Sequence, residues 1–162
     1  MSETIHEAIR TLLDKHGITY RSLHHEPTHT SEESARARGE SVRIGGKALL
    51  ILTGEVFRLF VVSAALKLDN GAVRHHFGTR RARFATPEEL IDLTGLVPGS
   101  VPPFGEPILP FELYVDESIP ANDRIAFNAG TLTDSIIMPV ADYLRAARPT
   151  EVFRFTVPAT GA

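Results

Sequence analysis

Ile5, Ala8, Ile9, Leu12 and Leu13 recur at intervals of three and four, the spacing that lines one face of a helix, and Gly17 stands where such a helix stops. Ile18–Leu23 alternates enough to predict a strand, and a polar stretch, His24–Thr30, follows it. Thr30-Ser31-Glu32-Glu33 places a hydroxyl three residues before a carboxylate, which predicts a capping box and a short helix ending near Gly39. Lys47–Thr53 and Val56–Val62 are apolar, β-rich runs on either side of Gly54-Glu55, a hairpin signal with both strands buried. Asp69–Phe77 reads as a short helix. Thr86-Pro87-Glu88-Glu89 opens another that runs to Gly95, with proline at its first position. A loop dense in proline and glycine, Gly95–Pro110, precedes strands predicted at Phe111–Val115, Arg124–Asn128 and Ser135–Met138, and Pro139–Ala147 reads as the last helix. Strands and helices mix without strict βα alternation, so the expected class is α+β with a mixed or antiparallel sheet. With no internal repeat, linker or low-complexity run, residues 1–162 are expected to form one domain.

Composition narrows the chemistry. Cysteine is absent, which removes disulfides, thiolate metal sites and cysteine nucleophiles together. The formal net charge of −3 argues against a protein that coats nucleic acid, because non-specific affinity requires many neutralised phosphates. A protein that grips only the end of an RNA needs one or two placed cations, to which total charge is blind. The longest apolar stretches, Ala48–Leu52 and Leu59–Leu66, are too short to span a bilayer, and no signal peptide is legible. A cytoplasmic location with no membrane partner is therefore expected.

Three places could carry chemistry. Lys47 opens an apolar strand directly after Gly45-Gly46, so its ammonium is fixed at a strand end that a ligand can approach closely. The plain alternative is a surface lysine snorkelling from the strand end. The loop Gly99-Ser100-Val101-Pro102-Pro103-Phe104-Gly105 is stiffened by its prolines, and its remaining amides could hold an oxyanion or a ribose hydroxyl. It could equally be a rigid connection. Phe127-Asn128-Ala129-Gly130-Thr131 ends a strand in small residues, which marks either close backbone approach or an ordinary turn. His25 and His29 are four apart, but Pro27 between them opposes a helix, and no His-Glu zinc motif occurs, so no metal is expected. Arg74, Arg80, Arg81 and Arg83 could hold phosphates or simply form a solvated face.

In order along the chain, these pieces resemble the YbaK/ProX family of aminoacyl-tRNA deacylases, whose domain also occurs inserted in bacterial prolyl-tRNA synthetases. The resemblance rests on His25–Thr30 with the helix after it, Lys47 leading Ala48–Ile51, Gly78–Leu90, Gly99–Gly105, Val115–Ser118 and Asn128-Ala129-Gly130. It implies a compact α+β fold with a mixed, mostly antiparallel, barrel-like sheet, and a cleft for the aminoacylated 3′ adenosine of tRNA. Lys47 would anchor the substrate's 3′ end. Gly99, Asn128 and Gly130 would join it in catalysis, and Ser100, Val101, Pro102, Pro103, Ala129 and His29 would bind substrate. Some members carry histidine or serine near Asn128, so no amino-acid specificity carries over. The implied partner is aminoacyl-tRNA, with a synthetase as a further candidate; no DNA and no cofactor are expected. Water would attack the ester, with the terminal ribose hydroxyl of the tRNA helping to activate it as the resemblance implies and no protein general base legible in the residues, amides of the Gly99–Pro103 loop or of Asn128–Gly130 holding the oxyanion. The alternative is a non-catalytic module that binds the tRNA end or a nucleotide.

Overall fold

The computed structural model describes residues 3–159. Their helices are α1 (Ile5–Lys15), α2 (Ser31–Arg38), α3 (Asn70–Phe77), α4 (Pro87–Thr94) and α5 (Val140–Ala147). Their strands are β1 (Arg21–His24), β2 (Gly46–Thr53), β3 (Val56–Ser63), β4 (Leu66–Leu68), β5 (Ala82–Phe84), β6 (Leu113–Asp116), β7 (Arg124–Asn128), β8 (Asp134–Pro139), β9 (Glu151–Phe153) and β10 (Thr156–Pro158). No helix among the described residues is long and apolar enough to cross a membrane.

Local chemistry explains the boundaries. At α4 the capping box is complete: the Thr86 hydroxyl accepts from the Glu89 amide, and the Glu89 carboxylate accepts from the Thr86 amide. At α2 only half of the expected box forms. Thr30 caps the Glu33 amide, but the Glu33 carboxylate reaches one residue further back, to the His29 amide. The first strand begins later than its alternation predicts, because the Ile18 amide is used to close the end of α1 on the Leu13 carbonyl. Likewise β6 begins at Leu113 rather than Phe111, whose amide turns back to the Leu109 carbonyl. The hairpin β2–β3 turns at Gly54, whose φ of 66° suits glycine.

The strands form a five-stranded sheet in the order β5-β2-β3-β6-β9, a three-stranded sheet β1-β8-β7, and a pair β10-β4. Pairing is antiparallel except at β3–β6 and β6–β9, which gives the α+β class expected, with a mixed, mostly antiparallel sheet. A parallel bridge between Gly45 and Ala126 ties the larger sheets in a barrel-like wrap that does not close among the described residues. Alternation in β2 and β3 sends Leu50, Leu59 and Val61 into the main core with Phe104, Phe127 and Tyr143. It sends Ile51, Phe60 and Val62 to the other face, against Val73, Tyr114 and Phe155. Both faces of the sheet are therefore buried, and only its edges are free to make a site.

Candidate functional site

One stretch of edge stays open. Beyond its pairing with β3, β2 is bonded to β5 at Ile51–Thr53, and the Gly45–Ala126 bridge lies just before it. Between these, and short of the Leu50 carbonyl that accepts from the Ala85 amide, Lys47–Leu49 have no second strand neighbour, and a cleft of about 740 Å³ lies along them. Its outer lip carries the exposed Phe84, Pro87 and Pro98. Ala35, Val42, Gly45 and Ala64, all buried or half-buried, also line it.

Lys47 lines this cleft, is exposed, and makes no ion pair or hydrogen bond through its side chain among the described residues. It is a free ammonium on a groove lined by both apolar and polar side chains. The loop from Pro98 to Val101 forms the facing wall. Its one buried hydroxyl, Ser100, is turned inward, donating to the Val97 carbonyl and accepting from the Val97 amide. Gly99 and Val101 line the cleft, and their amides donate to no acceptor among the described residues.

Not every residue singled out in the sequence reaches the cleft. Lys47, Gly99, Val101, Asn128 and His29 line it; Ser100, Pro102, Pro103, Ala129 and Gly130 do not. The Pro103 carbonyl is fastened to α5 by the Tyr143 hydroxyl at 2.6 Å. The Ala129 amide donates to the Asp134 carbonyl and that of Gly130 to the Ser100 carbonyl, so neither is available for an oxyanion. Gly130 is needed for packing: its φ is 88°, and a Cβ there would lie 2.9 Å from Ile5.

The sequence reading passed over Arg38, which lines the cleft while only 8% exposed. It closes α2, where a basic residue ordinarily reads as a solvated complement to the helix dipole. Here its Nε donates to Ser135 at 3.0 Å and one terminal nitrogen donates to Asn128 Oδ1 at 3.0 Å. Burial lowers its pKa to about 10, so it stays charged at neutral pH. Asn128 completes the link by donating through Nδ2 to the Gly99 carbonyl at 2.7 Å, which ties the cation to the facing loop.

Ser135 and His25 imitate a nucleophile and its base, with Oγ and Nε2 2.8 Å apart. The imitation fails on access, because Ser135 is 0% exposed and does not line the cleft. His25 Nδ1 lies 2.8 Å from the Glu26 carbonyl, and the Ser135 hydroxyl, 2.8 Å from Nε2, donates to Asn128 Oδ1 at 3.3 Å and accepts from Arg38 Nε. The pair is a brace for the guanidinium. Among the described residues, no three His, Asp or Glu side chains converge to hold a metal ion.

Residues 25–146 match the aminoacyl-tRNA editing domain family. The chain is 35% identical over 165 residues to the multifunctional Ser/Thr-tRNA deacylase ProXp-y of Escherichia coli strain K12, covering 93% of each. It is 32% identical over 100 residues to the proline–tRNA ligase of Shouchella clausii strain KSM-K16, a match spanning 62% of this chain and 17% of the ligase. Among solved structures, one assigned as a trans-editing enzyme for prolyl tRNA synthetase superposes with a TM-score of 0.81 at 26% identity, over 97% of this chain and 99% of that one.

Proposed function

This chain belongs to the aminoacyl-tRNA editing domain family, and from that premise we propose how its cleft removes an amino acid from tRNA. The protein is an aminoacyl-tRNA deacylase, a hydrolase of the ester that joins an amino acid to tRNA. The carrying observation is the free Lys47 ammonium on the open edge of β2, facing a wall whose Gly99 and Val101 amides are unspent.

The cleft is polarised, which suggests how the substrate lies. The exposed lip with Lys47 and Phe84 receives the 3′ end of the tRNA, Lys47 meeting a phosphate and Phe84 offering a face to a base. The aminoacyl group enters beside the buried and half-buried small residues. Water attacks the ester carbonyl, and the Gly99 and Val101 amides stabilise the oxygen as its charge grows. Removing one such donor typically costs about 10²–10³ in rate. The ester bond breaks with the ribose hydroxyl as leaving group, and the amino acid departs as its carboxylate. The terminal ribose hydroxyl is the group proposed to activate the water.

The Escherichia coli relative is a Ser/Thr-tRNA deacylase by name, which makes seryl- and threonyl-tRNA the first substrates to try. The chain is taken to act in trans as one editing domain in the cytoplasm, on tRNA charged by a synthetase. The test follows release of labelled amino acid from seryl-, threonyl-, alanyl-, cysteinyl- and prolyl-tRNA. Multiple turnover of at least one species is expected. Binding of tRNA without release of any amino acid would contradict the reading and leave a carrier of the tRNA end.

A further inference from the structure

Arg38 is a buried cation that forms no ion pair among the described residues. Burying a charge without a counter-charge is expensive, and it persists where something compensates. Two of its three nitrogens are satisfied by neutral oxygens, from Ser135 and Asn128. The third, Nη1, has no acceptor among the described residues. Yet no fully buried side-chain nitrogen or oxygen among them lacks a partner, so Nη1 must keep contact with open space, and the space that Arg38 lines is the cleft.

Gly45 shows what surrounds it. A Cβ added there would lie 3.6 Å from Nη1, 3.0 Å from Ala64 Cβ and 3.2 Å from the Val42 carbonyl. The glycine thus keeps a side chain away from Nη1, since even one carbon there would crowd Ala64 and the Val42 carbonyl, and any group that Nη1 meets comes from the cleft that Arg38 lines. A guanidinium only donates, so the group seated there must accept a hydrogen bond. Glu32 and Lys47 line the same cleft with opposite charges, so a hydroxyl and a carboxylate are the acceptors to be told apart, and the hydroxyl is the one carried by the substrates proposed above.

We propose that Arg38 is a specificity-determining residue, whose Nη1 donates to the side-chain hydroxyl of a seryl or threonyl ester held in the cleft. This rests on the deacylase reading above. A site built around a buried donor rejects the analogue lacking its acceptor far more strongly than an apolar pocket rejects a methylene.

The experiment compares kcat/KM for tRNA carrying serine, threonine, aspartate or 2-aminobutyrate; the last replaces the serine hydroxyl by a methyl of nearly equal size. Wild type should favour seryl over 2-aminobutyryl by about 10²-fold or more, and Arg38→Met should erase most of that by slowing the seryl ester alone. Arg38→Lys keeps the charge without the planar fork and should fall between them. A wild-type ratio within about threefold of unity, an equal fall for both esters in Arg38→Met, or a preference for aspartate would overturn the assignment. If Arg38→Met does not fold, the wild-type ratio decides alone. Hydrolysis without hydroxyl preference sinks only the role of Arg38, whereas no hydrolysis of any ester sinks the deacylase reading with it.

Discussion

The open edge of β2 and the aromatic layer on one face of its sheet are built from the same strands with opposite bookkeeping of polar groups. In the aromatic layer nothing is left over. Phe60 stacks on Tyr114 at 5.5 Å and meets Phe155 edge-on at 5.3 Å, the Tyr114 hydroxyl donates to Glu112, and Glu112 is paired with Arg58. Buried Asp116 accepts from the Phe155 and Ser118 amides and the Thr156 hydroxyl. At the edge the leftovers are the point: Lys47 has no partner among the described residues, Arg38 keeps one nitrogen open, and the Gly99 and Val101 amides are unspent. Unsatisfied donors are costly to fold around and useful to a substrate, so stability and activity should separate between the two regions.

The largest effect expected from this contrast is on stability. Phe60→Ala should cost about 3–5 kcal/mol in denaturant unfolding while leaving kcat/KM per folded molecule unchanged. A large fall in activity of the folded fraction would show that the layer shapes the cleft. Asn128 belongs to both accounts, since it holds Arg38 on one side and the Gly99 carbonyl on the other. Asn128→Ala should therefore lower stability by about 1–3 kcal/mol and activity together, a change of one without the other marking it as wholly structural or wholly functional. Tyr143→Phe removes the donor to the Pro103 carbonyl behind the loop and should cost about 1 kcal/mol of stability, with activity falling only if that anchor holds the Gly99 wall.

Much of this division was legible in the residues. Lys47 after two glycines, the proline-stiffened loop and the Thr86–Glu89 capping box are local patterns with local causes, and each lies in the element expected. The three-residue strands β4, β5, β9 and β10 left no such trace, because strands so short are defined by what they pair with. Arg38 was passed over for a related reason. Its meaning depends on Ser135 and Asn128, ninety and more positions away, and at a helix end it looks like any solvated arginine. Ala129 and Gly130 show the converse, since a small-residue turn that reads as a backbone donor site has its amides committed across the fold.

The smallest effects expected concern pH. The Arg83 guanidinium and the Thr86 amide hold the Glu89 carboxylate at about 2, below its ordinary value. A depressed carboxylate contributes stability that is present above its unfolded pKa and lost as pH falls through the folded one. The melting temperature should therefore slip as pH drops from about 4.5 toward 2, and less so in Glu89→Gln, as thermal scans would show. Arg38, lowered only to about 10, remains charged through the neutral range, so preference for a hydroxyl-bearing ester should be flat across it.

The central claim, that the open edge is chemical and the rest of the sheet structural, is met most directly by Lys47→Ala, with deacylation and thermal unfolding measured on one preparation. Lys47 is exposed and unpartnered among the described residues, so the melting temperature should not move, while kcat/KM for the preferred aminoacyl-tRNA should fall by about 10²-fold or more. Full activity in a variant that melts like wild type would contradict the account.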